Sequence, residues 1–126
     1  MNKEFIPYEQ ALELKELGFN EDCIACFFKY NNELYTILNT ETMISRWSIM
    51  AHNLNTSAPL YQQAFRWFRE KYKLDHFVQH HIDGTNQTYF SMARKSTWDV
   101  TTHDTYEEAE LACLKKLIEI TKTNNL

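Results

Sequence analysis

The sequence predicts an α+β fold, about three helices packed on a mainly antiparallel sheet built from two hairpins. Two kinds of pattern carry this reading. Stretches beginning at Pro7, Ser57 and Thr105 repeat apolar residues at three- and four-residue steps behind helix-start signals. Between them, two pairs of β-prone runs flank an Asn-Asn and an Asp-Gly turn. Composition fits a packed single domain over residues 1–126, with 8 Phe, 7 Tyr and 3 Trp against 2 Gly and 2 Pro.

The first helix, PYEQALELKEL from Pro7 to Leu17, starts at a Pro whose missing N–H would be unpaired there anyway. Gly18 ends it, and a left-handed Gly18 lets Phe19 fold back on Leu14 in a Schellman arrangement. Cys23 to Tyr30 and Glu33 to Asn39 form a hairpin around Asn31-Asn32, since Asn tolerates the positive φ of a two-residue turn. Pairing Tyr30 with Glu33 places Phe28 opposite Tyr35 and Cys26 opposite Ile37. Ile24, Cys26, Phe28, Tyr35 and Ile37 then share the core side, and Ala25, Phe27 and Leu38 give the other side enough apolar surface to be partly covered.

Thr42 to Leu54 alternates like a strand through Met43, Ser45, Trp47, Ile49 and Ala51, although Ile44, Trp47, Met50 and Ala51 also fit a helix. The alternation favours a strand. Asn53 to Pro59 is a polar loop, with Ser57 positioned to cap the second helix and Pro59 inside its first turn. That helix runs to Tyr72 with Tyr61, Ala64, Phe65, Phe68 and Tyr72 on its apolar line, while Trp67 stands off the line among basic residues. A second hairpin joins His76–Ile82 to Gln87–Arg94 through Asp83 to Asn86. Its register puts Phe77, Gln79, His81, Phe90 and Met92 on one face and His76, Val78, His80, Ile82 and Tyr89 on the other. Ser96 to His103 adds a short strand with Trp98 and Val100.

The last helix opens on a capping box, Thr105 to Glu108 (TYEE), and buries Ala109, Ala112, Cys113, Leu117 and Ile120, flanked by Leu111, Leu114 and Ile118. All three helices begin alike, with YEQA from Tyr8, YQQA from Tyr61 and YEEA from Tyr106. A common packing need for Tyr and Ala one turn apart explains this more simply than duplication, which would make the chain a pseudo-repeat of helix-hairpin units.

The formal charge of −4 is too mild for a protein whose main affinity comes from neutralising phosphates, though it leaves room for a local basic patch. No apolar run reaches the roughly 18 residues of a membrane span, and MNKEFIPYEQ lacks a signal-peptide core, so a cytoplasmic protein without membrane association is expected. Three cysteines in such a chain read as reduced thiols.

Phe5–Phe19, Ala58–Tyr72 and Thr105–Ile120 resemble a family of small uncharacterised proteins encoded in phages and prophages of gut-type bacteria. The resemblance covers the helices and implies a genetic setting, with no activity, cofactor or site residue to carry over.

Chemistry-bearing motifs are few. Cys23 and Cys26 have metal-knuckle spacing, but residues three apart on a strand face opposite ways, and no second such pair exists. His76, His80 and His81 lie on a strand that sets His76 and His80 roughly 13 Å apart, which excludes one shared ion and leaves solvated strand histidines or a site completed by His52 or His103 from elsewhere. No nucleophile elbow, phosphate loop or dinucleotide fingerprint appears, so no enzymatic activity, cofactor or metal is expected. The remaining candidate is Arg66, Trp67, Arg69 and Lys73, with Lys71, either a cationic surface carrying an aromatic platform or the solvated face of a helix whose Trp67 belongs to the core. The leading expectation is a non-enzymatic accessory module that binds a host or phage protein through its helices and an aromatic patch. The runner-up is a nucleic-acid or nucleotide binder using the Arg66 to Lys73 surface, where a sheet-borne Tyr or Phe stacks a base.

Overall fold

The computed structural model describes residues 2–28, 32–36, 56–95 and 97–124. Its class is α+β, with three α-helices and two three-stranded antiparallel sheets among the described residues. The two hairpins lie in separate sheets, so the expected single sheet is corrected. Two compact units, Met1–Leu60 and Tyr61–Leu126, are described in turn.

The first unit holds α1 (Tyr8–Glu16), β1 (Ala25–Phe27), β2 (Leu34–Thr36) and β3 (Thr56–Ser57), after a 3-10 turn at Asn2–Glu4. Helix α1 ends as its sequence predicts. Gly18 takes φ 98°, its N–H reaches the Lys15 carbonyl at 3.1 Å, and the Phe19 N–H reaches the Leu14 carbonyl at 2.9 Å, the two bonds of a Schellman end. Strand β1 is central, flanked by β2 and β3.

The hairpin register differs from expectation by two residues, with Cys26 opposite Tyr35 and Ala25 opposite Thr36. The turn is longer than two residues. The Phe28 N–H bonds to Glu33, the Asn32 N–H returns to Phe28, and Asn32 carries the positive φ of 57°. An even shift leaves the side-chain faces unchanged. Ile24, assigned to the core side, is exposed and lies before the strand, whereas Ala25, Cys26 and Phe27 are all buried. Tyr8 of α1 covers the Phe27 side, ring edge to face at 5.4 Å. Thr56–Ser57 is strand, paired with Phe27 and Cys26, so Ser57 is not a helix cap. Pro59 precedes the second helix, and its carbonyl accepts the Ile6 N–H at 3.1 Å. Asn31, Ile37, Leu38, the undecided stretch Thr42 to Leu54 and His52 fall outside the described residues.

The second unit runs α2 (Tyr61–Tyr72), β4 (Asp75–Asp83), β5 (Asn86–Arg94), β6 (Trp98–His103) and α3 (Tyr106–Asn124). Its sheet has the order β4-β5-β6. Asp83 pairs with Asn86 across Gly84-Thr85, and of those two central residues only Gly84 has positive φ (63°), as a type II′ turn requires. The predicted face assignments hold: Phe77 opposes Met92, Gln79 opposes Phe90 and His80 opposes Tyr89.

The units differ in connectivity. The third strand pairs with the first hairpin strand in unit one and with the second in unit two, which sets the topology against a simple helix-hairpin repeat.

Candidate functional site

The sheet of the second unit has two unlike faces, and the central strand decides which one the helices cover. On one face β5 presents Ser91 and Ala93, which are small and buried. Small side chains let a helix approach closely, and α3 brings equally compact Ala109 and Cys113. The Cys113 thiol lies over the sheet, donating to the Met92 carbonyl at 3.2 Å and contacting the Ser91 hydroxyl and the Phe77 backbone. Burial pushes its pKa up, which keeps it a neutral thiol. Helix α2 covers the same face: Phe65 stacks on His76, ring centres 3.9 Å apart. Burial, reinforced by Arg69, lowers the His76 pKa, against a weaker pull upward from Asp75.

The α3 stripe is rotated slightly from its predicted position. Ala109, Cys113 and Leu117 are buried as expected, Leu114 and Ile118 join them fully, and Ala112 and Ile120 lie at the margin. Two polar residues share the buried side. Thr121 returns its hydroxyl to the Leu117 carbonyl at 2.9 Å. Glu110 accepts a hydrogen bond from Tyr106 one turn earlier, yet burial and the nearby Glu107 push its pKa up to about 7. Tyr61 of α2, itself buried, is pushed up to about 12 by burial and by the same carboxylate. The predicted cap is present, Thr105 Oγ1 accepting the Glu108 N–H at 3.1 Å, and the Glu108 side chain stays exposed.

The opposite face of the sheet is open. Across its three strands one row reads Phe77, Met92, Val100, the next Gln79, Phe90, Thr102, and the row on the other side Asp75, Arg94, Trp98. Phe77 is 50% exposed, Val100 52% and Trp98 41%, with Phe90 and Met92 partly exposed between them. The rim is polar. Arg94 bridges Asp75 at 3.1 Å and lies over the Trp98 ring at 4.5 Å, so one ion pair and one cation–π contact close that end. At the other end stand Gln79, His81 and Thr102. An apolar centre inside a polar rim is the anatomy of an interaction surface.

Of the residues predicted as a site on α2, the structure withdraws Trp67 from the surface. Trp67 is 6% exposed, packed edge-on against Phe68 and Tyr72, so it belongs to the core and offers no platform. Lys71 lies over the Trp67 and Tyr72 rings, at 5.1 and 5.5 Å. Lys73 takes φ 58° and donates to the Glu70 carbonyl at 3.2 Å, which makes it a helix-end residue. Arg66 and Arg69 are exposed on α2.

The histidines are distributed rather than gathered. His80 stacks on Tyr89 at 4.5 Å and contacts Gln87 at 3.2 Å, His103 contacts Thr101 at 2.8 Å, and His81 lies beyond Phe90 on the open face. Among the described residues, no three His, Cys, Asp or Glu side chains converge as a metal site would need. Cys23 precedes β1 with its thiol directed to the Glu21 carbonyl at 3.5 Å, and all three cysteines are buried. Among the described residues no helix is long and apolar enough to cross a membrane.

No family model matches the chain, and neither a curated protein nor a solved structure matches it.

Proposed function

We propose that this chain is a non-enzymatic protein-binding module that docks its partner on the open face of the β4–β5–β6 sheet. The observation that carries the reading is the row Phe77–Met92–Val100, apolar across all three strands and left in solvent while the other face is covered by two helices. An accessory role in a phage or prophage setting, inside the cytoplasm, belongs to the same proposal and rests on the resemblance of the three helices.

The charge layout favours a protein over a nucleic acid. A single-stranded nucleic acid is held by cations that follow its backbone beside rings that stack its bases. Here Arg66 and Arg69 stand on α2, which packs on the covered face, while the exposed Phe77 and Trp98 rings stand on the other face, whose Arg94 is already paired with Asp75. Single-stranded oligonucleotides are therefore expected to bind negligibly in a fluorescence titration at low salt.

The direct test is affinity capture with the parent protein and with Val100→Asp, followed by reconstitution with the purified captured protein. The reading expects a partner that binds the parent directly and loses at least tenfold in affinity with the variant. Equal binding by both would remove the open face from consideration.

A further inference from the structure

We infer that β6 is an interface strand on which a second copy of this chain pairs antiparallel about a two-fold axis, joining the two β4–β5–β6 sheets into one. The inference goes beyond the docking reading above, which concerns the face of the sheet and not its edge.

Hydrogen-bond parity argues first. A two-residue hairpin makes Asp83 and Asn86 a hydrogen-bonded pair, so alternate residues of β5, from Asn86 to Arg94, direct their N–H and C=O groups to β4. Tyr89, Ser91 and Ala93 therefore face β6, where they pair with His103, Thr101 and Asp99. This leaves Trp98, Val100 and Thr102 with N–H and C=O groups directed out of the sheet. Among the described residues no further strand and no loop backbone bonds to them. Donors and acceptors recurring every second residue along a straight edge are matched by another strand.

The edge is also unguarded. Edge strands are commonly blunted by Lys, Pro, a bulge or brevity. Strand β6 has six residues with no Lys or Pro, and its register with β5 runs unbroken from Trp98 to His103. Trp98 to Thr102 are exposed on both sides of the sheet, so little of this strand is buried by its own chain. The β4 edge differs. Only Lys73 and Leu74 separate α2 from β4, and Phe65 stacks on His76, which keeps the helix along that margin.

Self-complementarity selects the second copy. A two-fold axis at Val100 sets Val100 against its counterpart and Trp98 against Thr102, matching outward residues to outward residues in about six backbone hydrogen bonds. The intervening pairs, whose side chains lie closest, join Asp99 of one copy to Thr101 of the other. Thr101 Oγ1 lies 2.8 Å from His103 Nε2, and when the ring N–H donates, the hydroxyl proton is left for that carboxylate. Asp99 and His103, the titratable residues of β6, both stand opposite threonines, so like charges do not meet. On the open face the row Phe77–Met92–Val100 meets its counterpart and doubles in length. One strand pair is small beside a standard interface, so the dimer belongs to the weak class and dissociates on dilution.

The test is sedimentation velocity of the purified chain alone from about 10 μM to about 1 mM, with amide exchange followed at both ends of the range. The parent should pass from monomer to dimer, and exchange should slow at Val100 and Thr102 with concentration while Thr101, already bonded to Ser91, is unchanged. Val100→Lys and Val100→Glu place like charges directly across the axis, so each should stay monomeric with parental circular dichroism, and mixing the two should restore the dimer. Thr102→Pro removes an outward N–H while sparing the bonds to β5, and should be monomeric as well. A parent that is monomeric throughout overturns the inference. So does a dimer that persists in both Val100→Lys and Thr102→Pro, or one whose slowed amides are Val78 and His80 of β4. The docking reading is decided separately, by the captured partner.

Discussion

The two faces of the β4–β5–β6 sheet carry apolar side chains in similar number, yet α2 and α3 cover one around Ser91 and Ala93, leaving its hairpin end at His80 and Ile82 exposed, and the other is open. The sealed face has Ser91 and Ala93 at its centre and larger groups around them, with Phe65 stacked on His76 and Tyr106 meeting Tyr89 edge-on. The open face reverses this, with bulky Phe90 and Met92 at the centre. A helix settles where it can come close, so the small residues of the middle strand select the covered side. What lies opposite is then free for a partner whose own side chains fill the surface.

This contrast can be tested by how unequally the faces respond to substitution. The largest effect belongs to the sealed side. Phe65→Ala, which removes a ring that is 1% exposed, should cost about 3–5 kcal/mol in a urea melt. A loss near 1 kcal/mol would mean the helix contact with His76 contributes little.

Next is Glu110, also on the sealed side. Its ordinary value of 4.5 is pushed up to about 7, so the folded state holds the proton more tightly than the unfolded chain. Stability therefore falls as pH rises from about 4.5 to about 7 and stays low above that range. Glu110→Gln should stabilise the protein at pH 8 by an amount of the order of 1–3 kcal/mol, a gain that vanishes near pH 4.5. An equal gain at both pH values would show that ionisation is not the cause. His76 acts with the opposite sign. Its lowered pKa means that the charged imidazolium is disfavoured in the fold, so stability present above about 6.5 is lost as pH falls. In a Glu110→Gln background the remaining pH dependence should be this acid-side loss, absent from Glu110→Gln/His76→Gln.

The smallest effect belongs to the open face. Arg94→Ala removes an ion pair between half-exposed side chains and the contact with Trp98, and should change stability by less than about 1 kcal/mol. A larger loss would show that the open face is held by that pair and is not a free surface.

Much of the fold was legible because local signals agreed with it. Gly18 with Phe19, Asp83 to Asn86, and Thr105 with Glu108 each specify a turn or cap by backbone chemistry alone, and each is found. The hairpin at Asn31-Asn32 was misread by two residues because Asn suits positive φ in loops of several lengths, and Asn32 uses it in a longer one. The candidate site was less legible. Trp67 stood beside arginines in sequence, but consecutive helix positions are about 100° apart, and its burial depends on rings at Phe68 and Tyr72. The open face was already grouped by parity as Phe77, Phe90 and Met92. Which parity is covered depends on helix approach, which alternation along a strand does not encode.

The central claim is that the open face contributes to binding and little to folding. The measurement that addresses it most directly is the urea unfolding free energy of Phe77→Thr/Val100→Thr, which removes apolar bulk while keeping strand-forming residues. The account predicts a loss within about 1 kcal/mol of the parent, since both side chains are half exposed. A cooperative loss of about 3 kcal/mol or more, the size expected for packed core positions, would show that this face is part of the fold and contradict the account.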